Sequence, residues 1–185
     1  VADRDFERAF KLEHARRSAR VIRMALIVGA AVYALFATLD YLIAPDHYPK
    51  LWQIRFGIVI PGIVVVAFTY SEKFQKYGQL MLAFAMTVAG GGVVAMTAIL
   101  PPDLSQTYYA GLILVLVYCS TLIRLSYPQV LTISIILVGS YAAVATFVNP
   151  IGTEYLVSNI YFLVSSATIA ILIAYLSEYY IRANY

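Results

Sequence analysis

The chain has 185 residues, of which 62% are hydrophobic and only 12% charged, with a formal net charge of +3 and a mean hydropathy of +0.79. About a quarter of the residues of an ordinary water-soluble domain are charged, so this composition excludes one and points to lipid as the main solvent. The single Cys119 lies within an apolar run and excludes a disulfide framework.

The first 20 residues, rich in Asp, Glu, Lys and Arg, predict a helix. Asp3 or Asp5 is placed to cap it, and Phe6 and Phe10, four apart, share a face. Two roles stay open for this helix. It lies along the inner lipid surface before turning into the first span, or it is a solvated helix whose basic residues set the topology. No short apolar stretch with a small-residue cleavage site follows, so a secretory leader is not expected.

Six apolar segments follow, at residues 23–44, 54–71, 78–100, 108–123, 129–148 and 159–176. Each is roughly long enough to cross a hydrocarbon core of about 30 Å as a helix, and none alternates with the period of a barrel strand. The expected fold class is therefore all-α, a polytopic membrane protein of six transmembrane helices arranged as three hairpins. The segments that exit on one side end in "LIAPDH", "AILPPDL" and "FVNPIG", and proline stops each helix there. Domain boundaries are set at residues 1–21 for the basic N-terminal helix, 22–176 for the membrane domain and 177–185 for the start of a connector.

Lys and Arg settle the expected orientation. With the N-terminus inside, eleven basic residues fall on the inner side, and only Lys50 and Arg55 fall on the outer. That asymmetry predicts cytoplasmic termini in a plasma or inner membrane.

No Asp, Glu, Lys or Arg sits near the middle of a span, which disfavours an ion pump or proton-coupled carrier. One Cys, with His14 and His47 on opposite sides, cannot assemble a metal or haem site. No catalytic residues, cofactor or nucleic-acid partner are expected in this segment. A carrier of neutral apolar substrates would need no such charges and stays open.

The remaining candidates are packing and polar features. Ala83, Thr87, Gly91 and Ala95 fall at spacing four around the run "AGGGVV", and Ser166, Ala170 and Ala174 make a second small-residue stripe. Either stripe is helix packing within one bundle, or a dimer seam or flexing point. Asp40 and Arg55 flank the first outer loop and are a candidate ion pair, with a structural pin or a ligand contact as its two roles. Tyr33, Tyr118, Tyr141 and Thr87 lie deeper and are candidates to line an outward-opening apolar pocket. At the end of the chain, Glu178, Tyr179 and Arg182 mark a candidate signal connector, because no helix breaker occurs from Leu176 onward. A first residue that is Val, and a last helix without a stop, read as the two ends of a segment cut from a longer protein.

The stretch "RRSARVIRMALIVGAAVYALFATLDYLIAP", with Tyr33, Phe36, Leu39 and Asp40, followed by "LWQIRFGIVIP", with Trp52, Arg55 and Pro61, resembles the six-span N-terminal membrane domains of bacterial class III adenylate cyclases. Similar modules precede diguanylate cyclase domains and other signalling outputs, so a diguanylate cyclase or a kinase is the alternative output. The resemblance covers the whole segment by topology and the first hairpin by motif. It implies a homodimer in the lipid bilayer whose last span continues into a transducing helix and a catalytic domain, and a sensing role for a small or lipophilic ligand. None of the family's catalytic residues falls in this chain.

Overall fold

The computed structural model describes the backbone of residues 2–71 and 73–183, and the side chains of 20–71, 73–74 and 77–180. The described residues form seven α-helices and no strand. These are α1 (Ala2–Ile43), α2 (Tyr48–Phe68), α3 (Phe74–Ile99), the single-turn α4 (Pro102–Ser105), α5 (Tyr109–Thr121), α6 (Tyr127–Ala143) and α7 (Thr153–Ala183). Six helical stretches are long and apolar enough to cross a membrane, so the chain is a multi-pass membrane protein. An even number of spans brings the chain back to the face where it began, here termed the terminal face. The α1–α2, α3–α5 and α6–α7 connections lie on the opposite, far face.

Helix ends follow local chemistry more than hydropathy. Polar Lys50, Gln53 and Arg55 push the hydropathic start of the second span to residue 54, yet α2 begins at Tyr48, with Pro49 in its first turn. Proline is favoured there because the first N–H groups of a helix lack intrahelical partners anyway. Pro61 lies inside α2, which continues through it to Phe68. The fourth crossing begins with α4, at the proline pair, rather than at Tyr108. α6 ends in a widened π turn at Val144–Val148 before Pro150, and the Asn149 side chain donates to the carbonyls of Thr97 and Leu100, 2.7 Å each, closing the end of α3. α1 runs without a break from Ala2 to Ile43, about 60 Å at 1.5 Å per residue. No turn separates its N-terminal part from the span. The side chains of Asp3, Asp5, Phe6 and Phe10 lie outside the described residues.

Three antiparallel hairpins, α1–α2, α3–α5 and α6–α7, pack with α3 at the centre against α2, α5 and α6, while α7 closes against α5 and α6. The main core runs through Leu112, Leu116, Val130, Leu137, Tyr141 and Leu163, and a smaller one at the far face gathers Ala44, Leu51, Met96 and Leu100. Outside them a broad set of large apolar side chains is exposed, among them Leu35, Ile60, Phe84 and Ile135. A soluble surface would carry charge there, whereas lipid tails solvate these groups without cost.

Candidate functional site

α1 packs along α2 and stands off from α3 and α5, and a cavity of about 480 Å3 fills the space between these four helices. Three tyrosine hydroxyls bridge it. Tyr33 of α1 donates to the Ala89 carbonyl of α3 at 3.4 Å. Tyr108, which opens α5, donates to Asp40 Oδ1 at 2.9 Å. Tyr118 of α5 donates to the Ala25 carbonyl of α1. Gly29 makes the last contact possible, since a Cβ there would lie 2.7 Å from the Tyr118 hydroxyl oxygen. A polar tip on a large apolar body suits this task, since each ring covers cavity wall while its hydroxyl finds a backbone or carboxylate acceptor.

The far end of the cavity holds its charge. Arg55 Nε donates to Asp40 Oδ2 at 2.7 Å and Nη2 to Oδ1 at 2.8 Å, a bidentate pair in which Asp40 is 1% and Arg55 4% exposed. Nη1 donates to the Tyr33 carbonyl at 3.1 Å, and Nη2 also approaches Met96 Sδ at 3.7 Å. The guanidinium lies 4.9 Å from the Tyr33 ring centre, within cation–π range. Desolvating two charges is unfavourable unless the pair is well aligned and its remaining donors are largely met; here the pair is bidentate and four of the five guanidinium N–H groups have an acceptor. Beside it, Trp52 Nε1 donates to the Ala37 carbonyl at 2.9 Å, a second tie between α1 and α2.

The same hairpin is clamped at the terminal face. Arg23 Nε donates to Thr69 Oγ1 at 2.8 Å, Nη2 donates to the Thr69 carbonyl at 2.9 Å, and the guanidinium stacks 3.7 Å from the Tyr70 ring centre. A cation on the last carbonyls of α2 meets the negative end of that helix. Sequence reasoning counted Arg23 only as a basic residue of the inner side. Its apolar neighbours carry no signal for a partner 46 residues away.

The structure sorts the other sequence candidates. Of the four deeper polar residues, Tyr33 and Tyr118 line the cavity. Tyr141 instead accepts from Asn159 Nδ2 at 2.8 Å within the core, and Thr87 donates back to the Ala83 carbonyl of its own helix at 2.9 Å. Along α3, Gly91 and Ala95 are exposed and a Cβ at Gly91 would meet nothing, whereas Gly90 and Gly92 face Leu137 and Ile58. Ala83 and Thr87 are half-buried. Ala170 and Ala174 are buried in the bundle core, at 0% and 2% exposure, and Ser166 donates to the Phe162 carbonyl at 2.8 Å. Tyr108, whose hydroxyl completes the carboxylate's shell, has no mark in the sequence beyond its place at the start of the fourth apolar segment.

At the terminal face the end of α7 touches the first turn of α6. A Glu178 Oε2 accepts from the Tyr127 amide at 3.3 Å, in the first turn of α6, and the Tyr127 and Tyr175 rings meet edge to face at 5.8 Å. The Ser126 amide is met from the other side by Gln79 Oε1 of α3 at 3.3 Å. Tyr179 is exposed, and the side chain of Arg182 lies outside the described residues. Among the described residues no group of three or more His, Cys, Asp or Glu side chains is placed to hold a metal ion.

These features define a six-span membrane module with a laterally placed apolar cavity and no cluster of reactive side chains at it. The family model for MASE8, a family of membrane-associated sensory domains, matches residues 38–185, and the chain belongs to that family. The match begins just before Asp40, takes in Arg55 and all of α2 to α7, and says nothing of a cyclase. No curated protein and no solved structure matches the chain significantly.

Proposed function

We propose that this chain is the sensory and anchoring module of a membrane-bound nucleotide cyclase of the adenylate class. In this reading it sits in the plasma or inner membrane as a homodimer with both termini cytoplasmic, and its last helix passes the state of the bundle to a catalytic domain. The observation that carries the reading is α7. It runs unbroken over 31 residues, which at 1.5 Å per residue is longer than the ~30 Å hydrocarbon core requires. It is also attached to the sensing part: its buried face packs on α5, and the other side of α5 lines the cavity. A displacement of α5 is therefore delivered to a rod that leaves the membrane.

An insertion series in the full-length protein tests this. One residue added after Arg182 turns everything beyond it by about 100°, and seven roughly restore the phase. Cyclic AMP formation should collapse with the first insertion and largely return with the second. Equal activity throughout the series would make α7 a passive tether. A different product, such as a cyclic dinucleotide, would keep the sensor and replace the output.

A further inference from the structure

We infer that the cavity between α1, α2, α3 and α5 binds a neutral single-chain lipophile with a hydroxyl head, taken up sideways from the bilayer. The inference deepens the sensory reading and rests on it for its meaning as a signal. Four features of the cavity converge on that ligand.

The walls are apolar over nearly their whole extent, so the body of the ligand must be apolar too. The opening faces hydrocarbon. Val32 and Leu39 on α1, and Leu114 and Val117 on α5, line the cavity and are also exposed, all within the membrane-spanning stretches. A molecule arriving there comes from the lipid phase. Size follows from the volume: 480 Å3 corresponds to on the order of fifteen non-hydrogen atoms, if each takes ~30 Å3 as a water does.

The head is set by the polar end. Asp40 and Arg55 neutralise each other, and the guanidinium already donates through Nε, Nη1 and Nη2. A charged head would therefore be desolvated without a counter-ion. What the two tyrosines at this end still offer is acceptor capacity. The hydroxyl oxygens of Tyr33 and Tyr108 each give their proton away, to Ala89 and Asp40, and keep lone pairs. A head that donates, as a primary alcohol does, is satisfied there, whereas an ether or ester oxygen finds no donor at these tyrosines.

An occupant of this kind stands between α1 and α5. The opposite face of α5, through Leu112, Leu116 and Cys119, belongs to the core shared with α7. Filling the cavity therefore presses on the helix that carries the output rod.

The test is binding, with the 185-residue chain in phosphatidylcholine nanodiscs. The probe is tetradecan-1-ol carrying a mid-chain diazirine, cross-linked by light and mapped by mass spectrometry. Labels should concentrate on residues 29–36 and 110–118 and be suppressed by excess unlabelled 1-tetradecanol. Val32→Trp and Leu114→Trp place bulk at a rim already half open to lipid, and each should lower the protectable labelling about tenfold. Ile136→Trp, on an exposed face of α6 away from the cavity, should leave it unchanged. Tyr108→Phe should weaken competition by the alcohol about fivefold, as loss of one hydrogen bond does. Labels spread evenly over the lipid-facing helices, with no protection by the alcohol, would overturn the site. Myristate or the methyl ether competing as well as the alcohol would overturn the neutral donor head. Because binding is read without any catalytic output, failure here and failure of the insertion series are separate results.

Discussion

Asp40 and Arg55 meet face to face through two hydrogen bonds of 2.7 and 2.8 Å, one turn before the end of α1 and two turns into α2. Both are buried and Tyr108 completes the carboxylate's shell, so one carboxylate ties both helices of the first hairpin to the start of α5. Removing one charge strands the other in a poorly hydrated place. Arg55→Leu should destabilise the folded protein by about 3–5 kcal/mol, whereas Arg55→Leu combined with Asp40→Leu should cost clearly less. Thermal unfolding in detergent, arranged as a double-mutant cycle, measures the coupling. Additive losses would show that the pair has no energetic link.

The glycine run of α3 offers neighbouring substitutions with opposite expectations. A Cβ at Gly90 would collide with the Leu137 side chain, while one at Gly91 meets nothing and points out of the bundle. Gly90→Leu should cost about 1–3 kcal/mol of stability by overpacking. Gly91→Leu should leave the monomer's stability within error, yet shift a homodimer that uses the Ala83–Thr87–Gly91–Ala95 face toward monomer, since small residues are what let helices approach in lipid. Gly139→Leu, also in open space but on α6, is the control. Single-molecule photobleaching in vesicles reads the stoichiometry, and an unchanged dimer in Gly91→Leu would move the seam elsewhere.

Glu178 joins the end of α7 to α6 by accepting from the Tyr127 amide, an N–H of the first turn of α6 with no intrahelical partner. A carboxylate there also meets the positive end of the helix. Glu178→Ala should loosen that turn by about 1 kcal/mol, seen as ~fivefold faster hydrogen exchange at Tyr127. Glu178→Gln keeps an acceptor oxygen and should fall between. Unchanged exchange in Glu178→Ala would mean that the contact does not hold the turn.

The basic asymmetry predicts that the far face is outside the cell. Asp103 and Ser71 are exposed at opposite ends of the bundle, and the native Cys119 is fully buried. Asp103→Cys should react with a membrane-impermeant maleimide added to intact spheroplasts, and Ser71→Cys only after permeabilisation. The reverse pattern would invert the topology.

What the sequence determined by itself is the sequence of crossings. Length and hydropathy of six segments, the prolines that close three of them on one face, and the charge imbalance between the faces are local properties. Each records how a short stretch partitions between water and lipid, which a single chain reveals without knowledge of its neighbours. The pairing of Asp40 with Arg55 was legible for the same reason: four loop residues separate the two helices, and a charge at that depth needs a partner. Tertiary structure alone decided the lateral arrangement. Nothing local tells Tyr108 that Asp40 lies across the bundle 68 residues away, or Tyr118 that Gly29 leaves room for its hydroxyl beside Ala25. In lipid no hydrophobic force selects one helix face over another. Side-chain shape and single hydrogen bonds between helices set which faces meet, and neither leaves a period in the sequence. The cavity exists because α1 stands off from α5, so it appears only when the helices are placed side by side.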